Sequence, residues 1–354
     1  MNLTRTWGTQ LDDYVIDLAW SPAGRALATA SAAGPVVLFD AQGARLHALP
    51  GHADGTNAVA WSPGAQGVAK DQRTDNPILA SGGQDGRVRF WDACTGRQTV
   101  ETEIAPAAWV EHLVWRPAAT DLAAGSRNRV LAAAAGRRLS LLNTDGSILH
   151  TFADAPKTLS ALAWNPRGGP IAVAYYGGVC LWDTDGFHAR REYGYGSSIS
   201  ALVWSPDGRW LVAGAQDNAV HLWVPEEGQE FHMSGYETKV RELSFSHDSR
   251  WLATGGARDA CVWDCSGTGP EGREPLTLAH SDRVCAVAFQ HSHGLLATAA
   301  VNNELELWCP ACQQPLVAIV RLTAPASKIA WSPDDTLLAI GSQKGGVLVL
   351  KMES

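Results

Sequence analysis

Charge is scarce in this chain. Asp, Glu, Lys and Arg make up 18% of its 354 residues, against roughly a quarter in an ordinary globular domain. There is no basic block, and the formal net charge is −8. That balance argues against a general nucleic-acid binder, whose affinity comes mainly from neutralising phosphates. No apolar stretch reaches the roughly 18 residues a transmembrane helix needs, so no membrane span is expected. The opening Met1-Asn2-Leu3-Thr4-Arg5-Thr6-Trp7 lacks the apolar core of a signal peptide. Seven cysteines, an odd number in a long chain without a signal, read as reduced and cytoplasmic. Several catalytic signatures are missing as well. The chain has no Gly-x-Ser-x-Gly elbow, no His-Glu-x-x-His pair and no P-loop.

What the chain does have is a period. Trp20, Trp61, Trp115, Trp164, Trp204, Phe245, Phe289 and Trp331 each end a short apolar run, at gaps of 41, 54, 49, 40, 41, 44 and 42 residues. In six of the eight cases a Pro follows two residues later, as in Ser205-Pro206-Asp207-Gly208. A period near 40 means one supersecondary unit copied along the chain. Length alone would allow two domains, but repetition predicts one body spanning residues 1–354.

The fifth copy shows the plan. Ile199–Trp204 is a short β run, and Ser205-Pro206-Asp207-Gly208 reads as a type I turn with Pro fixing φ. Trp210–Gly214, Val220–Trp223 and Gln229–Met233 follow as three more strands between tight turns. Small residues crowd the second strand, where neighbouring sheets must pack closely. A four-stranded sheet of this size cannot bury both faces alone, and radial stacking covers them. The third strands end in Phe39, Trp91, Leu142, Trp182, Trp223, Trp263, Trp308 and Leu350, several in the form Trp91-Asp92, Trp182-Asp183 and Trp263-Asp264.

In these features the chain resembles the WD-repeat β-propeller family over nearly its whole length. The expected fold is all-β: an eight-bladed propeller of four-stranded antiparallel blades, with the commoner seven-bladed form as the alternative. The last unit stops at Leu350-Lys351 without a fourth strand. Residues 4–7 are therefore expected to complete it and close the ring, because an unpaired edge would otherwise remain.

His52, Ser81 and Asp85 could be read as a catalytic triad. The resemblance implies a different role. With Trp91 they occupy the positions at which the family builds a buried hydrogen-bond network. The seventh unit carries the variant His280, Thr298, Asn302 and Trp308, and the fifth has Ala213 at the hydroxyl position. Asp183-Thr184-Asp185-Gly186 resembles the start of a calcium loop but lacks the remaining ligands, and reads as a turn.

One constellation could carry chemistry. Cys309-Pro310-Ala311-Cys312 and His291-Ser292-His293 fall on turns at the same end of the seventh unit, with His247 and Cys265 of the sixth at that end. Two thiolates and two imidazoles can form a tetrahedral zinc site. His291, His293, Cys309 and Cys312 are the candidate ligands, His247 and Cys265 the additional ones, and zinc would be structural or serve metal handling or sensing. The other reading makes them surface histidines and a free dithiol. A thioredoxin-like role is set aside, since no βαβ context surrounds the motif.

The opposite end of the blades gathers Tyr14, Tyr175, Tyr176, Tyr195, Tyr236 and Trp109, with Lys239, Arg258 and Arg283. Tyr and Trp are favoured interface anchors. The family resemblance implies protein–protein recognition by a non-enzymatic scaffold, and these residues form the expected partner surface. Tyr236 stands in the slot of the network His, where packing a loop is the competing role. Insertions at 64–77 and 118–129 extend first turns of adjacent units, as functional loops on a scaffold do.

Overall fold

In the computed structural model residues 2–64, 77–118 and 129–353 are described, and the two insertions lie almost wholly outside them. Every element among the described residues is a strand. The strands form eight four-stranded antiparallel sheets in consecutive order, the blades of an eight-bladed β-propeller fold. Eight sheets remove the seven-bladed alternative.

Two compact units share these sheets, one spanning residues 11–195 and the other residues 1–10 with 196–354. The first unit holds blades 1 to 4, at residues 15–49, 56–103, 110–151 and 159–194. The second holds blades 5 to 7, at 199–233, 243–278 and 284–321, and blade 8, made of 326–353 with the N-terminal strand. That strand, Asn2–Gln10, pairs antiparallel with Gly346–Glu353, from Asn2 opposite Glu353 to Gln10 opposite Gly346. The expected N-terminal completion of the last blade is thus present.

Burial follows strand position. Second strands are covered on both faces, as in Val130–Ala135, where every residue is buried. Small side chains there let adjacent sheets approach. Fourth strands are mostly exposed, as in His188–Gly194. Apolar clusters join consecutive blades: Phe90 packs with Trp115 and Leu131, and Leu307 with Trp331 and Leu338.

The recurrent first-strand tryptophan has a structural cause. The Trp61 indole N–H donates to the Ala19 carbonyl (2.9 Å), Trp115 to Ala60 (3.0 Å) and Trp331 to Ala288 (3.0 Å). Each ring covers the seam while its N–H satisfies a backbone acceptor of the preceding blade. Seven of the eight first strands also carry a bulge near their start, such as that between Thr56 and Ala58. A bulge adds one residue and raises local twist. The connection into blade 2 needs glycine at Gly51, whose φ is +65° and where an added Cβ would lie 1.8 Å from the Gly34 carbonyl oxygen.

Candidate partner-binding face

In an up-and-down blade the start of the first strand, the turn between the second and third, and the end of the fourth share one end. Tyr14 precedes the first strand of blade 1, Trp109 that of blade 3, and Tyr176 lies in the second-to-third turn of blade 4. These three rings are 36%, 51% and 56% exposed. The other exposed large apolar side chains among the described residues, such as Leu46, Ile148 and Ile319, sit on fourth strands.

Backbone geometry holds the aromatics outward. Trp109 follows a turn in which Ala108 N–H donates to the Ala105 carbonyl (3.2 Å) and Ala107 has a φ of +62°. Tyr176 precedes Gly177, at φ +115°. Tyr195 N–H donates to the Gly177 carbonyl (2.8 Å), which ties the outgoing connection to the Tyr176 turn. Tyr175 and Tyr195 are half-buried beside it.

In the other unit, Lys239, Arg258 and Arg283 are exposed at the corresponding end of blades 6 and 7. The Arg258 Nε donates to the His280 carbonyl (3.2 Å), and Val284 N–H to the Ala257 carbonyl (3.2 Å). These bonds lace the turn of blade 6 to the connection entering blade 7.

Tyr236 does not belong to this surface. It is 8% exposed and its hydroxyl lies 2.9 Å from Thr254 Oγ1 while accepting the Trp263 indole N–H (3.0 Å). It occupies the place of the network histidine in blade 6, and burial pushes its phenol far above the usual range.

The blade 2 network forms as the resemblance implies. Trp91 Nε1 donates to Ser81 Oγ (2.9 Å), Ser81 Oγ stands 2.9 Å from His52 Nε2, and His52 Nδ1 lies 2.8 Å from Asp85 Oδ1. Since Asp85 only accepts, Nδ1 carries the proton and Nε2 accepts from Ser81. Burial holds His52 below the usual imidazole range, consistent with the neutral ring. Ser81 is fully buried, so the triad geometry offers no nucleophile to a substrate. Arg89, whose role the sequence pattern did not signal, braces the cluster through Asp85, Glu101 and the Gly51 carbonyl.

In blade 7, His280 Nε2 faces Thr298 Oγ1 (2.7 Å), which accepts the Trp308 indole N–H (2.8 Å). Asn302 takes no part in this set. The His280 Nδ1 proton goes to the Leu278 carbonyl (2.8 Å), while the Asn302 amide donates to Glu304 and Ser281.

The described residues assemble no zinc cluster. Cys309 and Cys312 are bonded to each other as a disulfide, which removes both thiolates and corrects the expectation of a reduced pair. Their Cα atoms are 5.4 Å apart, within disulfide reach. His291 and His293 are hydrogen-bonded to Asp335 and to Trp331. Asp335 accepts from His291 N–H (2.7 Å), Ser292 N–H (2.8 Å) and His293 Nδ1 (3.0 Å), and His291 Nε2 lies 3.2 Å from the Trp331 carbonyl. His247 Nδ1 bonds the His293 carbonyl (3.2 Å), and burial pushes the Cys265 thiol up to about 12. Among the described residues no group of three or more His, Cys, Asp or Glu could hold a metal. The calcium-like segment is a turn, its Asp183 Oδ1 accepting Asp185 and Gly186 N–H.

Sequence reasoning also missed Asp335 and Glu306. Asp335 holds a φ of +60°, a slot that glycine fills at Gly24 and Gly208, so its acidic side chain there was the available signal. Glu306 alternates with leucines in Glu304-Leu305-Glu306-Leu307, which reads as solvent-facing, yet it is 4% exposed.

Comparison with known proteins accords with this architecture. The repeat described as "WD domain, G-beta repeat" matches residues 43–92, 189–224, 228–264 and 272–309. The chain is 27% identical over 217 residues to "Cell division cycle 20.1, cofactor of APC complex" of Arabidopsis thaliana, covering 59% of this chain and 44% of that protein. It is 27% identical over 202 residues to "APC/C activator protein CDH1" of Saccharomyces cerevisiae, covering 55% and 32%. Against "Telomerase protein component 1" of Mus musculus it is 26% identical over 353 residues, 92% of this chain and 12% of the relative. The chain thus spans under half the length of these curated relatives. Among solved structures, the computationally designed Ika8 protein aligns at a TM-score of 0.76 and 21% identity, over 99% of this chain and 100% of that one. At that identity the likeness speaks for fold alone. The indole–hydroxyl networks that three blades build accord with this likeness: the chain carries WD repeats and has the fold of a WD-repeat β-propeller.

Proposed function

We propose that the chain is a non-enzymatic scaffold that holds a protein partner on the loop end carrying Tyr14, Trp109 and Tyr176, with Tyr175 and Tyr195 beside it. The carrying observation is that the exposed large aromatics share one end of their blades, on loops braced by backbone hydrogen bonds. Rigid aromatic side chains lose little conformational entropy on binding and are enriched at interface centres. In the other unit, Lys239, Arg258 and Arg283 are exposed cations of the kind that steers association. The relatives named as a cofactor of the APC complex and as an APC/C activator support an adaptor role. Their greater length leaves their own assembly as no more than a guide to this chain's partner.

The test is affinity capture with Trp109→Ala and Tyr176→Ala, alongside Ile319→Ala on a fourth strand as control. The expected result is a binding partner whose affinity falls about tenfold or more with either loop variant, as loss of an interface anchor produces, and is unchanged by the control. Every recovered partner binding both loop variants at wild-type affinity would refute the choice of face.

A further inference from the structure

We infer that Cys309–Cys312 is a thiol-exchange site, a surface disulfide that small thiols of the glutathione class open and close while the blade stays folded. This goes beyond the scaffold reading and does not depend on it. The two sulfurs differ in access. Cys312 is exposed, whereas Cys309 is half-buried and packs against the apolar cluster that contains Leu307 and Trp331. An incoming thiolate therefore reaches Cys312 Sγ first.

The exchange balances without any further reactant. The external thiolate attacks Cys312 Sγ, the Cys309–Cys312 bond breaks, and Cys309 leaves as a thiolate that takes up a proton. A second external thiolate then attacks the external sulfur of the mixed disulfide and releases Cys312 as its thiolate. Two external thiols are oxidised to one disulfide, and their two electrons reduce the protein's disulfide. The reverse sequence closes the bond, using an external disulfide as oxidant. No thioredoxin-like fold is required, only a reachable sulfur and a leaving thiolate.

The backbone permits this cycling. Cys309 N–H donates to the Pro315 carbonyl (2.7 Å) and Cys312 N–H to the Cys309 carbonyl (3.0 Å), so the turn is closed by hydrogen bonds as well as by the disulfide. Deeper in the blade, the Trp308 indole N–H donates to Thr298 Oγ1, a bond that involves neither sulfur. The remaining thiols do not compete. Cys180 and Cys265 are buried and pushed up to about 12, Cys285 to about 11, and Cys261 is raised by the same cause. Cys94 is the other exposed cysteine among the described residues, and it is free.

The test uses the full chain with Cys94→Ser. The native protein is treated with N-ethylmaleimide before and after incubation with reduced glutathione, and intact mass and peptide mapping count the adducts. The expected result is no adduct before reduction and two after it, at Cys309 and Cys312, with an unchanged far-ultraviolet spectrum. Two adducts before reduction, none after it, or loss of the folded spectrum on reduction would each overturn the proposal. Direction is read from single variants. In Cys309→Ser, oxidised glutathione should form a mixed disulfide on Cys312 roughly tenfold faster than on Cys309 in Cys312→Ser, following access. Equal rates, or faster reaction at Cys309, would overturn the assignment of the attacked sulfur.

Discussion

Replacing Glu306 by Gln should make the protein more stable at alkaline pH and much less so in acid. Glu306 is 4% exposed, its Oε2 has no hydrogen-bond partner, and that atom lies 3.5 Å from His280 Nε2. The imidazole has no proton to give it. Nδ1–H is committed to the Leu278 carbonyl. Thr298 accepts the Trp308 N–H and therefore directs its own proton to Nε2. A charged Glu306 is thus stranded, and a neutral one is not. Burial, reinforced by Glu304, pushes its carboxyl from 4.5 up to about 7. The folded value exceeds the unfolded one, so the contribution to stability is fully present below pH 4.5 and is lost as pH rises through about 7. A rise of that size corresponds to about 3 kcal/mol, or roughly 4 °C in Tm for a chain this long. His280 has the opposite sign. Burial lowers it, so its neutral form favours the fold above about pH 6.5 and weakens it below. That contribution remains in both proteins, and the difference between them isolates Glu306. Urea unfolding followed by tryptophan fluorescence at pH 5 and 8.5 reads it out. The variant should exceed wild type by about 1 kcal/mol at pH 5 and by about 3 kcal/mol at pH 8.5. A Gln variant equally or less stable than wild type at pH 8.5 would sink the reasoning.

Ser81→Ala should cost about 2–3 kcal/mol in urea unfolding, because Trp91 and His52 each lose their partner at a fully buried position; Ser81→Thr, which keeps the hydroxyl, should recover most of it. Asp335→Gly should lower stability by about 1–3 kcal/mol although glycine accepts the φ of +60° with less strain, since three donors lose their acceptor; a neutral or stabilising result would show that backbone strain outweighs those bonds. Trp109→Ala with Tyr176→Ala should leave Tm within about 1 °C, as expected for exposed residues outside the core. A larger fall would mean that these rings pack the loops and do not await a partner. Deleting residues 2–10 should produce concentration-dependent association in light scattering, by baring the edge of Gly346–Glu353.

The aromatic period carried most of the fold because one requirement recurs from blade to blade within each unit. A first-strand ring must cover the junction, and Trp61, Trp115 and Trp331 each give an indole proton to the blade before. The four residues His52, Ser81, Asp85 and Trp91 were legible for a related reason, since each fills a fixed register position. The candidate site was less legible. Tyr175, Tyr176 and Tyr236 look alike in the chain, but Tyr236 turns inward to Thr254 while Tyr176 stands over half exposed. Which way a tyrosine faces depends on the hydroxyl awaiting it on a neighbouring strand.

Strand order, eight repeats and the N-terminal completion of the last blade follow from local periodicity and turn chemistry, which act over a few residues and are written along the chain. The fates of His291, His293, Cys309 and Glu306 were decided only on folding. The Trp331 carbonyl and Asp335, forty or more residues away, hold the imidazoles of His291 and His293, the two cysteines join as a disulfide, and a glutamate in an alternating run is buried against a histidine. Each outcome depends on which donor or acceptor another strand delivers within about 3 Å, and one-dimensional spacing does not encode that meeting.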